Sequence, residues 1–310
     1  MMLQAAGASG RAADLLPSPL FGANIVSIIQ NYLRRKGILN PNAEMTFLDH
    51  IEALRWHLIR SIIVLVVAAV VVFFNIEWIF DHIILGPAHS DFVSYRWLCT
   101  FGKWLHIEDA LCLGDVNLQF QNTELSGQFM MSFSSSFLIG FIVAFPYVFW
   151  EFWRFIRPAL KENELRQAKG IVFWSSLLFL TGVLFAYYVI APFTINFFAN
   201  YTLSPIFKNI ITIANYYDTM SDLVLGMGLV FNLPVVVFFL SRIGILTPTL
   251  MRKQRRYAIV IIMFLAAIIT PPDWFSIWLV AIPLLILYQV SIAISSKAEK
   301  SRIRRELMQP

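Results

Sequence analysis

Long apolar stretches alternate along the chain with short segments that hold most of the charged residues. A helix that crosses a bilayer needs about 20 mostly apolar residues, because it rises about 1.5 Å per residue through a core about 30 Å thick. Hydrocarbon offers no partner to an unpaired backbone group, so the stretches are expected to be helices. The pattern predicts an all-α polytopic membrane protein with six transmembrane helices, at residues 58–80, 129–153, 171–198, 223–240, 257–270 and 274–294.

The fifth of these stretches is shorter than the others. Only residues 257–270 lie between Arg256 and the turn that begins at Pro271. They make about 21 Å of helix. Such a helix can cross where the bilayer thins or where flanking side chains snorkel to the interface. The alternative is a buried re-entrant segment, which would move the C-terminus to the other side of the membrane.

The basic residues fall almost entirely on one side of the six predicted helices. Of the 24 Lys and Arg residues, only Arg96, Lys103 and Lys208 lie in the loops of the opposite side. An excess of Lys and Arg marks the cytoplasmic face of a membrane protein. Both termini are therefore predicted to be cytoplasmic, and an arrangement of five crossing helices would break this alternation.

The chain is predicted to have three parts. A membrane domain covers residues 46–296, and a basic cytoplasmic tail follows at residues 297–310. Residues 1–45 are expected to form a cytoplasmic extension, partly disordered, because they show no secretory signal peptide and only a short, broken apolar run.

Four of the predicted helices contain a proline. Proline removes a backbone donor and bends a helix. The bends are expected to curve the six helices around a concave face, although bent helices occur in membrane proteins of every function. The prolines are Pro146, Pro192, Pro234 and Pro283.

The loop after the first predicted helix, residues 81–128, is long and rich in aromatic residues. It is predicted to be external and to form a folded cap or membrane-edge helices rather than a flexible linker. It contains the only two cysteines of the chain, Cys99 and Cys112. On the predicted topology both face an oxidising compartment, so a disulfide between them is expected. The alternative is a pair of free, unreactive thiols.

The sequence shows no pattern that is typical of an enzyme. The 310 residues contain no glycine-rich phosphate loop, no cluster of zinc ligands and no Ser/His/Asp arrangement, so neither a cofactor nor a metal is expected. Hydrophobic residues make up 58% of the chain and charged residues 14%, a composition typical of a protein surrounded by lipid. The net charge of +5 follows the membrane topology and does not indicate nucleic acid.

Three carboxylates on the predicted cytoplasmic face are candidates for ligand binding. Glu52 lies in the segment that leads into the first helix, and Glu162 and Glu164 lie between the second and third helices. One interpretation is that they balance the Lys and Arg residues around them. The other is that they bind a basic ligand, because a carboxylate and a guanidinium can form two parallel charge-assisted hydrogen bonds.

Asn232 is the most polar residue deep within any predicted helix. Lipid would leave its amide unpaired, so Asn232 and the nearby Pro234 are expected to meet a partner helix or to line a groove. The alternative is that the amide satisfies a backbone group that is freed by Pro234.

Four ordered motifs resemble the TatC family, the multi-spanning component of the Sec-independent (twin-arginine) protein translocase. The resemblance covers about residues 47–294, and Phe185–Tyr188 in the third helix fits as well. The short fifth helix is also a property of that family. The motifs are His50–Arg55, Phe155–Glu164, Phe231–Pro234, and Thr270–Asp273 with the following Phe275 and Ser276.

The resemblance implies that the protein binds twin-arginine signal peptides of folded precursors in a bacterial inner membrane. It would move these precursors across the membrane with single-span partner subunits, in an oligomeric complex driven by the proton-motive force. The arginine pair would bind on the cytoplasmic side at Glu164 and Glu52, beside Phe155 and Arg55.

Two positions differ from the pattern of the family. The family often has Glu where this chain has Ala53, and Glu52 lies one residue earlier, about 100° around a helix. The family commonly has Glu where this chain has Asn232, which cannot titrate but can still hydrogen-bond to a partner helix. The structural turn of the family is matched by Pro271, Pro272 and Asp273.

Two other functions are alternatives to the translocase hypothesis. A small-solute secondary transporter would need ionisable groups near the midplane and commonly has internal repeats, and the sequence indicates neither. A structural scaffold would leave the cytoplasmic carboxylates without a ligand. The favoured hypothesis is a translocase subunit that is not an enzyme.

Overall fold

The computed structural model describes residues 47–104, 118–159, 170–206, 209–271 and 273–306. The chain divides into two units, Met1–Leu54 and Arg55–Pro310. Of the first unit only the beginning of the first helix is described. All the contacts reported below lie within the second unit.

Within these ranges the chain forms eleven helices, of which the longest follow the predicted apolar stretches. Two π-helical turns, Phe80–Ile84 and Ala186–Ile190, and two 3₁₀ turns, Gly86–Ala88 and Arg157–Ala159, connect some of them. The helices are α1 (Phe47–Phe73), α2 (Ile76–Ile79), α3 (Val93–Trp104), α4 (Gly127–Ile156), α5 (Ile171–Phe185), α6 (Ala191–Asn200), α7 (Ile213–Val230), α8 (Leu233–Ile243), α9 (Pro248–Lys253), α10 (Arg255–Ile269) and α11 (Trp274–Glu306).

Two short strands depart from the all-α prediction. β1 (Phe120–Gln121) and β2 (Ile211–Thr212) pair in parallel, with Phe120 opposite Ile211. Each strand has two residues, too few to give a hydropathy period that a sequence pattern could detect. The pair joins the loop before α4 to the start of α7.

Five helical segments of the described residues are long and apolar enough to cross a membrane. The predicted polytopic helical architecture is confirmed to that extent. The remaining predicted helix is α10, whose 15 residues make about 22 Å of helix, so a sixth crossing and the side of each terminus stay predictions. The five segments are Ile51–Phe73, Gly127–Ile156, Ile171–Asn200, Ile213–Ile243 and Trp274–Ser301.

Several boundaries differ from the prediction, and two of the differences have a clear local cause. The first long helix ends at Phe73, because Asn75 begins a break and its side chain donates to the carbonyl of Val71 at 3.0 Å. The fourth predicted helix starts at Ile213, ten residues early, because its first turns are polar and hydropathy does not detect them. The Thr212 hydroxyl caps this start by accepting from the backbone N–H of Asn215.

Only two of the four intrahelical prolines coincide with an interruption. The third crossing segment passes through the π turn Ala186–Ile190 directly before Pro192, and the fourth is divided at residues 231–232 before Pro234. Helices α4 and α11 run on through Pro146 and Pro283. The concave face expected from the bends stays a prediction.

The centre of the bundle is built on close approach of small residues. A Cβ atom added at Gly182 of α5 would lie 2.6 Å from the carbonyl oxygen of Met227 in α7. In the reverse direction, a Cβ atom added at Gly228 of α7 would lie 2.8 Å from the ring of Phe179 in α5. Phe179 also stacks on Phe145 of α4, with ring centroids 3.6 Å apart. Helix pairs in membranes rely on such packing because lipid supplies no hydrophobic driving force between helices.

Replacing Gly182 with alanine is expected to lower the free energy of unfolding by about 1–3 kcal/mol, the usual cost of overpacking a core. The new methyl group meets the Met227 carbonyl of α7 and the side chain of Phe231, which directly follows α7, so the two helices must separate. Thermal melting of the purified protein measures the loss. Thr181→Ala, at the exposed neighbour, is the matched control and should stay within about 0.5 kcal/mol. Equal melting temperatures for the two variants would contradict this packing.

One end of the bundle carries arginines and is called the basic end. Trp153 of α4 and Phe239 of α8 meet there in a T-shaped contact, with ring centroids 6.0 Å apart. Arg242 of α8 donates to the hydroxyl of Ser301 in α11 at 3.2 Å. The ends of the second, fourth and last crossing segments therefore lie together.

The opposite end, called the cap end, carries the loop between α1 and α4. Tyr187 donates to the carbonyl of Ile83 at 2.6 Å, and Tyr216 of α7 donates to that of Ile84 at 2.7 Å. The described part of this loop is thus fixed to the third and fourth crossing segments. The prediction for the whole loop, residues 81–128, stays a prediction, because residues 105–117 lie outside the described residues.

Candidate functional site

A buried carboxylate lies at the basic end, between the first and second crossing segments. Glu151 of α4 is 1% exposed. His57 Nδ1 of α1 donates to its Oε2 at 2.5 Å, and the Tyr147 hydroxyl donates to its Oε1 at 3.1 Å. Arg154 Nη1 lies 3.5 Å from the same Oε1. These four residues are called the Glu151 cluster.

The helix period explains why three members of the Glu151 cluster meet. Tyr147, Glu151 and Arg154 are spaced four and three residues apart, so they share one face of α4. His57 comes from α1 and is the partner that joins the two segments. A buried charge is costly unless it is paired and hydrogen-bonded. Both oxygens of Glu151 accept hydrogen bonds within the protein and the residue is buried, so the cluster connects α1 to α4 and is closed to a ligand.

Phe155 lies directly beside the Glu151 cluster. Its ring packs edge-on to His57, with centroids 6.3 Å apart and planes at 64°. Arg154 turns over the ring of Trp150, with its guanidinium carbon 4.9 Å from the centroid. Phe155 is therefore held at the basic end, next to His57 and the buried Glu151.

The acids that were predicted to bind a ligand lie near members of the Glu151 cluster along the sequence. Glu52 and Arg55 are both exposed on α1, and Glu52 belongs to the first of the two units. Glu164 and Glu162 lie outside the described residues, and their roles stay predictions. The structure brings Phe155 to the Glu151 cluster and leaves the predicted arginine site itself untested.

Sequence reasoning missed Glu151 and His57. Glu151 stands within the predicted helix 129–153, and an acid inside an apolar stretch is a functional candidate by default. Glu151 lies two residues before the end of that stretch, where charged side chains commonly reach the membrane interface. His57 gave no comparable sequence signal, because only the packing of α1 on α4 reveals its partner.

Asn232 has both ends of its amide hydrogen-bonded. Its Oδ1 accepts from the Ser175 hydroxyl of α5 at 2.6 Å, and its Nδ2 donates to the Gly228 carbonyl at 3.1 Å. The backbone N–H of Asn232 bonds to Leu229 and so leaves the Gly228 carbonyl for the side chain. The amide thus satisfies the carbonyl of Gly228 at the break before Pro234 and joins the fourth crossing segment to α5. A partner helix at this position stays a prediction.

Asp273 starts the last long helix. Its Oδ1 accepts from the backbone N–H of Ser276 at 2.6 Å, the geometry of a helix N-cap. The Asp273 backbone N–H also donates to the Pro271 carbonyl at 2.7 Å, which closes a tight turn between α10 and α11. Pro272 lies outside the described residues.

Replacing Asp273 with alanine is expected to lower the free energy of unfolding by about 1 kcal/mol, because the first N–H groups of α11 lose their acceptor. Asp273→Asn keeps an acceptor oxygen and should restore most of the stability. Melting curves of the two variants measure this difference in stability. If alanine and asparagine destabilise equally, the negative charge of Asp273, and not its cap hydrogen bond, stabilises the start of α11.

The predicted disulfide has one cysteine in the described residues. Cys99 of α3 is not a free thiol. Cys112 lies outside the described residues, so the pairing between the two stays a prediction. Among the described residues no group of three or more His, Cys, Asp or Glu side chains could hold a metal ion.

The fold and the basic end together define a polytopic helical membrane protein with a charged, aromatic site at one end of its bundle. Comparison with known proteins gives the family. The family profile of the Sec-independent protein translocase protein (TatC) matches residues 49–283. The chain belongs to the TatC family, whose members are components of the Sec-independent protein translocase.

Relatives support this assignment over most of the chain. The chain is 39% identical to the TatC protein of Blattabacterium sp. subsp. Periplaneta americana (strain BPLAN) over 85% of its length and 99% of that protein. It is 31% identical to TatC of Deinococcus radiodurans, covering 82% and 86% of the two chains. A crystal structure of the twin arginine translocase receptor TatC is similar with a TM-score of 0.63, 29% identity, and coverage of 80% and 99%.

Proposed function

We propose that this chain is the subunit that binds twin-arginine signal peptides in a Sec-independent protein translocase. The supporting observation is the placement of Phe155, which lies at the basic end against His57 and beside the buried Glu151. In a member of the TatC family this is the part of the chain where an arginine pair is expected to bind. The alternative of a small-solute transporter has no comparable observation in its favour.

Two sets of carboxylates would have different roles, one in binding arginine and the other in holding helices together. Glu164 and Glu52 would bind the guanidinium groups, because a carboxylate can accept two parallel hydrogen bonds from one arginine. Glu151 has a different role, since its oxygens are already occupied by His57, Tyr147 and Arg154. It would hold α1 against α4 and so keep the binding residues in place.

The proposed surroundings follow from the same family. The protein would lie in a bacterial inner membrane with both termini in the cytoplasm. It would assemble with single-span partner subunits and use the proton-motive force to move folded precursors. The face that includes Asn232 and Pro234 would then meet a partner helix or the apolar part of a signal peptide.

Co-purification tests the proposal. A precursor with a twin-arginine signal peptide should remain bound to the solubilised full-length chain, and the same precursor with two lysines should be lost. Lysine keeps the charge but cannot form the bidentate contact, so it is the matched control. Equal retention of both precursors, or of neither by a correctly folded chain, would contradict signal-peptide binding.

A further inference from the structure

A large cavity lies at the cap end, away from the Glu151 cluster. Its volume is about 990 Å³, and it lies between residues 81–96 and helices α4, α5 and α7. This is the upper part of the range for small-molecule sites. The inner wall is apolar and is formed mainly by Leu138, Ile142, Val183, Leu184 and Val224.

The exposed part of the cavity lining is charged and is called the mouth. It carries two carboxylates, one guanidinium and two imidazoles, all on exposed residues. Within the described residues none of these groups forms an ion pair with another. Arg96 donates to a backbone carbonyl, that of Asp91, at 3.4 Å. The charged lining residues are Asp81, His82, His89, Asp91 and Arg96.

The two histidines at the mouth are oriented by the backbone. Nδ1 of His82 bonds to the carbonyl of Trp78 at 3.0 Å, and Nδ1 of His89 bonds to that of Leu85 at 2.9 Å. Each ring therefore keeps its Nε2 for a ligand. Positive and negative groups thus stand side by side at the mouth without neutralising one another.

The segment that forms the mouth is held rigidly. The Tyr95 hydroxyl donates to the Pro87 carbonyl at 2.7 Å, and burial raises the pKa of Tyr95 to about 12, so this donor stays protonated. Phe92 stacks on Tyr188, with ring centroids 5.7 Å apart. The same segment is fixed by the Tyr187 and Tyr216 hydroxyls at the cap end. The charges are therefore built into a fixed frame.

Two residues of the cavity lining are also exposed on the outside of the bundle. Leu184 is 53% exposed and Tyr188 is 43% exposed, and both lie on the third crossing segment. A ligand with a long apolar chain can therefore enter from the bilayer. Its polar end would then lie at the charged mouth.

We propose that this cavity binds one phospholipid with a phosphoethanolamine headgroup. The acyl chains lie along Leu138, Ile142 and Leu184. The ammonium group meets Asp81 and Asp91, and the phosphate meets the guanidinium of Arg96. An apolar peptide helix fits less well, because it would cover the charged mouth without pairing any of its groups.

Lipid binding by the full-length chain in detergent tests this proposal. After delipidation the protein is offered phosphatidylethanolamine or phosphatidylglycerol, and the lipid that stays bound is counted by native mass spectrometry. We expect about one ethanolamine lipid per chain, held about tenfold more tightly than the glycerol lipid, which corresponds to about 1.4 kcal/mol. The glycerol headgroup lacks the ammonium that the carboxylates would bind.

Variants at the mouth and in the wall sharpen the test. Arg96→Ala should weaken retention of the ethanolamine lipid about tenfold, since the phosphate loses its charge-assisted partner. Asp81→Asn with Asp91→Asn should remove the preference over the glycerol lipid. Ile142→Trp should fill the cavity and abolish retention. Lys103→Ala is the matched control, because Lys103 is exposed at the same end and does not line the cavity.

Two results would overturn the proposal. Equal retention of both lipids by the wild type and by Arg96→Ala would mean that the mouth does not bind a headgroup. A signal peptide that crosslinks at Leu184 and displaces no lipid would assign the cavity to the peptide. Because Arg96 is exposed, its replacement should leave the melting temperature unchanged, so a loss of lipid cannot be attributed to unfolding.

Discussion

Replacing Glu151 with alanine is expected to destabilise the protein by about 1–3 kcal/mol, the usual cost of leaving a buried hydrogen-bonding group without its partner. The variant leaves His57 and the Tyr147 hydroxyl without their acceptor. Because α1 is mostly exposed elsewhere, its attachment to α4 should weaken more than the rest of the bundle. Thermal melting of the purified protein, together with transport of a twin-arginine precursor in cells, measures both consequences.

The Glu151 prediction has two matched controls. Glu77→Ala removes an exposed acid from α2 and should change the free energy of unfolding by no more than about 0.5 kcal/mol. Glu151→Ala combined with His57→Ala should cost less than the sum of the single changes, because the two residues act as one pair. Additive effects, or wild-type melting of Glu151→Ala, would contradict the assigned contact.

Replacing Glu164 with glutamine is expected to weaken binding of a twin-arginine signal peptide about tenfold to a hundredfold, while the protein still inserts and melts normally. A hydrogen bond to a charged group contributes about 1.5–3 kcal/mol, and glutamine cannot offer two charged acceptors to one guanidinium. Fluorescence titration of a labelled peptide against the protein in nanodiscs measures the change.

Neighbouring acids serve as controls for Glu164. Glu162→Gln alters the same segment two residues away and should leave the affinity unchanged. Glu52→Gln should weaken binding less than Glu164→Gln, because Glu52 lies one residue from the position where the family often has its acid. If Glu164→Gln binds as the wild type does, the role proposed for Glu164 is wrong.

The helical architecture could be predicted from the sequence because it depends on hydropathy and length alone. The long apolar runs require helices in lipid, and the short run at α10 was recognised from its bounds. The start of α7 at Ile213 could not be predicted, because its first turns are polar. A helix there depends on the Thr212 cap and on packing at the cap end.

Residues near the candidate site could be recognised from the sequence only where a single motif contains them. Phe155 was found from its motif and does lie at the basic end. The Glu151–His57 pair was missed, because it joins residues 94 positions apart and depends on how α1 packs on α4. Asn232 shows the same limit, since its bond to Ser175 crosses from α7–α8 to α5.

Site-specific photo-crosslinking in native membranes tests the central claim most directly. Photo-reactive side chains would replace Glu162 and Ala53 near the proposed arginine site and Trp97 at the cap end as a control. The proposed function predicts a strong adduct between a twin-arginine signal peptide and the first two positions, none at the third, and loss of the adduct when both arginines become lysines. An adduct that survives the lysine change, or none at positions 162 and 53 in a correctly inserted protein, would contradict it.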